Sequence, residues 1–149
     1  MSKTYISANL RRLVAERAEY CCEYCRIPEY LSLSSHQIDH IIAEKHGGST
    51  QASNLALSCT LCNQAKGSDI ASLDHQTQEV VRLYHPRQDR WADHFVLDSS
   101  TGEIRPLTGV GQVTIQLLNF NRSQAVKLRH TLISAGLSPF QSLSNPHQD

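Results

Sequence analysis

The chain has 149 residues, of which 40% are hydrophobic and 19% charged, and 14 basic and 14 acidic side chains give a formal net charge of zero. This length suits one ordinary domain, and the composition excludes collagen-like, low-complexity and wholly disordered chains. A protein that holds long nucleic acid by its net field is usually strongly basic, so a nucleic-acid role here must depend on a local site. No apolar run reaches the ~18–20 residues of a membrane helix, and the N-terminus lacks a signal-peptide core. We therefore expect a cytoplasmic protein with no membrane partner.

The first half of the chain predicts alternating helical and extended segments. Ser7 is a suitable N-cap, and apolar residues follow it at helical spacing. Short runs with apolar or β-branched character later in this half are typical of strands, and paired glycines between them are typical of a turn. The predicted elements are a helix over residues 8–19, a strand over 35–42, a turn at Gly47-Gly48, a strand over 55–57, and a helix over 59–66 that ends at Gly67.

All five cysteines lie in the first half, and four of them form two C-x-x-C pairs. The pairs are Cys22 with Cys25 and Cys59 with Cys62, and Cys21 is left over. Two such pairs predict a structural Zn²⁺ with four thiolate ligands, and the missing export signal favours a metal over disulfides. The alternative is a redox C-x-x-C motif, or buried thiols that pack as small apolar side chains. The 33 residues between the pairs are enough to hold a folded segment.

The second half carries a faint internal repeat with an offset of 24 residues. Asp74, Thr77, Glu79, Val80 and Leu83 recur as Asp98, Thr101, Glu103, Ile104 and Leu107. Each copy is typical of a turn that feeds a short strand. Two helices are predicted to follow. The first contains Val110, Val113, Ile115, Leu117 and Leu118, and the second begins at the capping-box-like Asn121-x-x-Gln124 and ends at Gly136.

The segment between the cysteine pairs resembles the HNH endonuclease family. The residues that carry the resemblance are Asp39-His40-Ile41-Ile42, Gly47-Gly48, Asn54-Leu55 and Cys59-x-x-Cys62-Asn63-x-x-Lys66-Gly67. The steps of 14 residues from His40 to Asn54 and of 9 from Asn54 to Asn63 are typical of that family. The resemblance covers about residues 20–69 and implies a ββα-metal finger. We therefore expect an α+β fold with this core over residues 1–70, a strand and helix extension packed on it over 71–137, and a frayed tail over 138–149.

The same residues have the chemistry that phosphodiester hydrolysis requires. His40 is the expected general base, because a neutral imidazole can take a proton from water. Asp39 and Asn63 supply the hard oxygen ligands that Mg²⁺ or Mn²⁺ prefers, which implies a catalytic ion besides the structural zinc. In the family's middle position, Asn54 is expected to organise the loop behind His40. Taken singly, an Asp-His pair is more often an ordinary strand end, and a lone Asn is more often a turn or a cap.

Three cationic side chains are candidates for contact with nucleic acid. Lys66 could meet a phosphate, or it could simply complement the C-terminus of its helix. Arg87 and Arg90 lie near Trp91 and could hold a phosphate backbone while the indole stacks on a base. The alternative is that Trp91 belongs to the core and the arginines are solvated.

These observations predict a metal-dependent endonuclease that nicks DNA or cuts it with weak sequence specificity. The alternatives are a zinc-dependent module that binds nucleic acid without cutting it, and a zinc domain that binds proteins. RNA is a further substrate that the sequence leaves open, as are a monomeric and a homodimeric state.

Overall fold

The computed structural model describes residues 4–137, so the tail predicted over residues 138–149 lies outside the described residues. Five α-helices and three two-stranded antiparallel sheets form in the described range, which gives the predicted α+β class. No helix in residues 4–137 is both long enough and apolar enough to cross a membrane. The helices are α1 (Ala8–Arg17), α2 (Thr60–Lys66), α3 (Trp91–His94), α4 (Gly109–Leu118) and α5 (Ser123–Ser134). The strand pairs are β1 (Gln37–His40) with β2 (Leu55–Ser58), β3 (Ala71–Leu73) with β4 (Val80–Arg82), and β5 (Phe95–Leu97) with β6 (Ile104–Pro106).

Helix α1 covers the outer face of the β1–β2 hairpin. The Ser7 hydroxyl caps it by accepting a hydrogen bond from the Leu10 amide at 3.2 Å. The helix ends at Arg17, two residues before the predicted end at residue 19, because Glu19 and Tyr20 adopt left-handed backbone with φ of 54° and 58°. The Arg17 guanidinium donates to the backbone carbonyls of Ala52 (3.1 Å) and Leu55 (2.8 Å). These bonds fix α1 to the hairpin.

Strands β1 and β2 and helix α2 form the predicted ββα unit. In the hairpin Asp39 lies opposite Ala56, and His40 lies opposite Leu55. Side chains of neighbouring residues on a strand point to opposite faces, so Asp39 faces α2 and His40 faces away from it. Helix α2 begins directly after Cys59 and ends at Gly67, as the sequence predicts.

The internal repeat is a pair of similar hairpins. Residues 71–82 form β3 and β4, and residues 95–106, which are 24 positions later, form β5 and β6. In each turn an aspartate organises the chain, since Asp74 accepts from the Gln76 amide and Asp98 accepts from the Ser100 amide. The sequence predicts the turn and the strand after it, and the structure adds the strand before it.

The predicted capping box at the start of the last helix is wrong. The Asn121 side chain instead pairs with the backbone of Ile104, accepting from its amide and donating to its carbonyl, both at 2.8 Å. Helix α5 therefore begins at Ser123, with no side-chain hydrogen bond at its N-cap Arg122. The asparagine joins α5 to the hairpin of β5 and β6 rather than capping its own helix.

One hydrophobic core joins the cysteines to aromatic side chains of the second half. Trp91 is 4% exposed, and its indole nitrogen donates to the Tyr24 carbonyl at 2.9 Å. Phe95 packs between Trp91 and Phe120, with ring centroids 5.0 and 5.3 Å away. Trp91 is therefore a core residue and does not present its face to a base. The second half packs directly on the ββα unit.

Arg129 is a fully buried cation that ties α5 to this core. Its guanidinium donates to the backbone carbonyls of Gly102 (2.7 Å), Phe120 (2.7 Å) and Cys25 (3.2 Å). Burial lowers the pKa of the guanidinium, and the nearby cysteine sulfurs oppose that fall. The contacts join three segments that are far apart in the chain.

We expect Arg129→Met to lower the free energy of unfolding by about 3 kcal/mol or more, because three buried carbonyls lose their donor. Arg122→Met is the matched control, since Arg122 is half-buried and donates to one carbonyl in the same region. Denaturant unfolding of the two variants tests this. Equal losses of unfolding free energy in the two variants would show that the buried Arg129 guanidinium contributes no more than the half-buried Arg122 guanidinium.

Candidate metal centre and active site

Four buried cysteine sulfurs converge at the centre of the first half. The sulfurs of Cys22, Cys25, Cys59 and Cys62 all lie within 4.8 Å of one another, and those of Cys25 and Cys59 are 3.8 Å apart. Zinc–thiolate bonds of ~2.3 Å in a tetrahedron place sulfurs about 3.8 Å apart. The donor set and its spacing fit a tetrahedral Zn²⁺, and the two predicted cysteine pairs form one site.

Backbone amides shape each half of this cluster. The Cys25 amide donates to the Cys22 sulfur at 3.5 Å, and the Cys62 amide donates to the Cys59 sulfur at 3.4 Å. Cys59 is also the N-cap of α2, so its sulfur lies where the helix favours negative charge. Hydrogen bonds from the neighbouring thiols, that of Cys22 first, lower the pKa of Cys59, whereas the same neighbours raise the pKa of Cys62. A cation among the four sulfurs would stabilise all of them as thiolates.

Cys21 is buried beside the cluster but does not belong to it. Its backbone pairs with Pro28 in an isolated bridge, and burial raises the pKa of its thiol. The side chain packs as a small apolar group.

Asp39 and Asn63 line the interface between β1 and α2. The Lys66 ammonium lies 3.2 Å from the Asp39 carboxylate, and one turn earlier the Asn63 amide nitrogen donates to the Gln37 side chain. Gln37 and Asp39 share a strand face, and Asn63 and Lys66 are neighbours on the helix. The two side chains predicted to bind a catalytic ion thus border one interface. Their carboxylate and amide oxygens fit Mg²⁺ or Mn²⁺ in chemistry.

Tyr24 connects the first cysteine pair to Asp39. Its hydroxyl donates to the Asp39 carboxylate at 2.7 Å, and the tyrosine is 1% exposed. Burial raises the pKa of Asp39, while the charge of Lys66 and the hydrogen bond from Tyr24 oppose the rise. Burial also raises the pKa of Tyr24, so the phenol remains a donor. The carboxylate has a fixed orientation in a nearly buried setting.

His40 lies on the opposite face of β1 and contacts a different set of residues. Its Nε2 is 2.9 Å from the Thr50 hydroxyl and 3.7 Å from a Glu44 carboxylate oxygen. The imidazole and the Asp39 carboxylate therefore leave the end of one strand in different directions.

Asn54 holds the loop between β1 and β2 in place. Its side-chain oxygen accepts from the Ile42 amide at 2.9 Å, and its nitrogen donates to the carbonyls of Ile42 (2.9 Å) and Ser49 (2.8 Å). Gly48 is required at this point, because a Cβ there would lie 1.7 Å from the Ile42 carbonyl oxygen. The loop that carries Thr50 is thereby fixed against the end of β1.

Two of the three cations predicted to meet nucleic acid are directed inward. Lys66 is 2% exposed and contacts Asp39 and the His40 carbonyl. Arg87 is paired with the buried Glu23, and burial lowers the pKa of its guanidinium to about 9, so it remains a cation at neutral pH. Arg90 is exposed. The expectation that Lys66 and Arg87 face a phosphate is corrected, because each has a carboxylate partner that is distant in the chain.

Sequence reasoning missed several residues that complete the site. They are Glu23, Tyr24, Glu44, Thr50 and Arg129. For Tyr24, the position between two cysteine ligands is a signal that was available in the sequence, because a side chain there lies next to the metal site. The others depend on contacts that span the fold.

The model of the HNH endonuclease family matches residues 22–69, which include both cysteine pairs and the span from Asp39 to Asn63. Residues 22–69 form an HNH domain. The Septu protein PtuA of Bacillus mycoides (strain KBAB4) is 31% identical over 91 residues, an alignment that covers 54% of this chain and 13% of that protein. No solved structure matches the chain significantly.

The cysteine cluster of the HNH domain predicts one tightly bound metal ion per chain. We expect Cys62→Ser to lose the ion and to lower the melting temperature, because a structural metal contributes directly to folding. Cys21→Ser is the control, since that thiol is buried but lies outside the cluster. Metal analysis of the purified variants decides the assignment. A full metal content in Cys62→Ser, or an equal loss in Cys21→Ser, would contradict it.

Proposed function

We propose that the chain is a metal-dependent endonuclease that hydrolyses phosphodiester bonds of DNA. The observation that carries this proposal is the divergence of Asp39 and His40 at the end of β1 in the HNH domain. One residue offers a hard anionic ligand at the interface with α2, and the next offers an imidazole on the other face. Hydrolysis of a phosphodiester needs both an electrophilic cation and a base for water.

Two metals have separate roles in this proposal. Cys22, Cys25, Cys59 and Cys62 would hold a structural Zn²⁺, which would fix the start of α2 against the first cysteine pair. Asp39 and Asn63 would hold Mg²⁺ or Mn²⁺, which supplies positive charge to the phosphate and the leaving oxygen. Tyr24 and Lys66 orient the Asp39 carboxylate for that contact.

His40 is the general base, and the loop behind it keeps it in position. Its imidazole accepts a proton from the attacking water, and the water oxygen forms the new bond to phosphorus. Asn54 supports this step indirectly through its hydrogen bonds to the backbone of Ile42 and Ser49. A loop held by three hydrogen bonds to two residues keeps the base in one place without further reorganisation.

The charge distribution favours DNA cleavage with weak sequence specificity. The net charge is zero, and the exposed cations include Lys45, next to Glu44 in the loop after β1, and Arg90 at the N-cap of α3. Such a surface positions a phosphate backbone but offers few contacts to base edges. Free cysteines fit a reducing compartment, so we place the activity in the cytoplasm.

A non-cleaving module that binds nucleic acid is the second candidate. The observation that favours it is the ion pair of Asp39 with Lys66, in which both side chains are nearly buried. An ammonium already neutralises the carboxylate there, so a divalent ion has less net charge to bind. Cleavage in the presence of metal separates the two candidates.

The test is conversion of supercoiled plasmid to nicked and linear forms with Mg²⁺, Mn²⁺ or EDTA, with the zinc content measured after each treatment. We expect metal-dependent nicking that falls by at least about 100-fold in His40→Ala, since a positioned base contributes roughly 10²–10⁴ in rate. His46→Ala is the matched control, because this histidine is exposed in the same loop.

Each alternative gives a distinct result. Binding of plasmid at low salt, without cleavage in any metal, would identify the non-cleaving module. A parallel assay with single-stranded RNA shows whether the protein prefers RNA to DNA. An unchanged cleavage rate in His40→Ala would show that His40 is not the general base.

A further inference from the structure

A chain of two hydrogen bonds runs from the His40 imidazole to side chains of the loop between β1 and β2. His40 Nε2 lies 2.9 Å from the Thr50 hydroxyl oxygen, and that hydroxyl lies 3.3 Å from the Glu44 carboxylate. Glu44 begins the one-turn 3₁₀ helix Glu44–His46, four residues after the end of β1, and Thr50 lies two residues after the paired glycines. The three side chains form one network on the face of β1 opposite Asp39.

Proton counting fixes the direction of this network. A carboxylate can only accept hydrogen bonds, so the Thr50 hydroxyl uses its single proton to donate a hydrogen bond to Glu44. The Thr50 oxygen must then accept from His40, which requires the imidazole proton to be on Nε2. In a neutral imidazole the other nitrogen, Nδ1, is left as the acceptor.

We infer that Thr50 and Glu44 are positioning residues, which select the Nε2–H tautomer of His40 and leave Nδ1 as the atom that takes the proton from water. The inference rests on the proposed function and adds to it the identity of the reacting nitrogen. A base held in one tautomer and one orientation by a third group is the general arrangement of an activated catalytic histidine.

The network also places negative charge where the reaction creates positive charge. When Nδ1 takes a proton, the O–H bond of the water breaks and its electron pair forms the bond from oxygen to phosphorus. The bond from phosphorus to the leaving oxygen then breaks, and the ring carries one positive charge. The Glu44 carboxylate, 3.7 Å from Nε2, faces that imidazolium.

The fixed loop explains why these two residues can have this role. Asn54 bonds to the backbone on both sides of the turn, at Ile42 and Ser49. Gly48 lets the turn approach the Ile42 carbonyl more closely than any other residue could. Glu44 and Thr50 flank this turn, so their separation from His40 is set by the backbone and not by the side chains alone.

The first readout is the tautomer itself, measured from the ring ¹⁵N signals of His40 in a long-range ¹H–¹⁵N correlation spectrum of the whole chain under conditions where the ring is neutral. His40→Ala identifies which signals belong to this ring. We expect the Nε2–H tautomer in the wild type and a mixture of tautomers in Thr50→Val, which keeps the volume of threonine but removes its hydroxyl. Thr50→Ser should restore the wild-type spectrum.

The second readout is plasmid nicking under saturating and limiting DNA. We expect kcat to fall tenfold to a hundredfold in Thr50→Val, with KM changed less than about twofold, as part of the roughly 10²–10⁴ that a positioned base contributes. Thr50→Ser should recover most of the loss. Glu44→Ala changes a half-buried residue in a turn that is otherwise exposed, so it keeps the test decisive if Thr50→Val fails to fold. We expect it to give the same mixture of tautomers.

The outcomes separate this inference from the proposed function. A protein that nicks DNA through His40, but whose Thr50→Val and Glu44→Ala variants keep both the tautomer and kcat, overturns the inference and leaves the nuclease intact. An Nδ1–H tautomer in the wild type overturns the inference whether or not cleavage occurs. If no cleavage is found, the proposed function fails, whereas a tautomer that depends on the Thr50 hydroxyl still supports the network.

Discussion

The convergence of four buried sulfurs is the constraint on which the rest of the molecule depends. It joins the turn after α1 to the N-terminus of α2 across 33 residues of chain. Closing a loop of that length without help costs entropy, and the β1–β2 hairpin alone is too small to offset it. Four thiols in an apolar core also resist joint ionisation, and the neighbouring thiols, that of Cys22 first, together with burial raise the pKa of Cys62. A bound cation would resolve both problems, because it would close the loop and neutralise the thiolates.

Tyr24 links the cysteine cluster to the candidate active site at Asp39. It lies between two of the cysteines, and its hydroxyl donates to Asp39. The second half of the chain supports it, since Trp91 donates to its carbonyl and the Tyr84 ring packs edge-on at 6.4 Å. Residues beyond the HNH domain therefore hold the segment between Cys22 and Cys25 in place. The second half contributes rigidity to the site, and two of its cations, Arg87 and Arg129, take part through Glu23 and the Cys25 carbonyl.

The features that the sequence predicted are those set by local chemistry. The cysteine pairs, the Ser7 cap and the repeated aspartate turns each follow from residues within a few positions of one another. The errors arise where a distant partner competes. Asn121 forms hydrogen bonds with Ile104, 17 residues away, instead of capping its own helix. Arg87 forms an ion pair with Glu23, 64 residues away. No periodicity or spacing in the sequence records such partners, because they exist only after the second half packs on the first.

The ion pair of Lys66 with Asp39 has a consequence for the order of binding at the proposed site. The carboxylate and the ammonium sum to zero charge, and the Asn63 amide adds none, so these three side chains offer a divalent ion no net negative charge. Magnesium is usually held by one or two carboxylates together with substrate phosphates. In the proposed enzyme, the missing negative charge would then come from the phosphodiester itself. Each of the metal ion and the DNA would then increase the affinity of the site for the other. The buried Asp39 would serve to orient the ion rather than to capture it from solution.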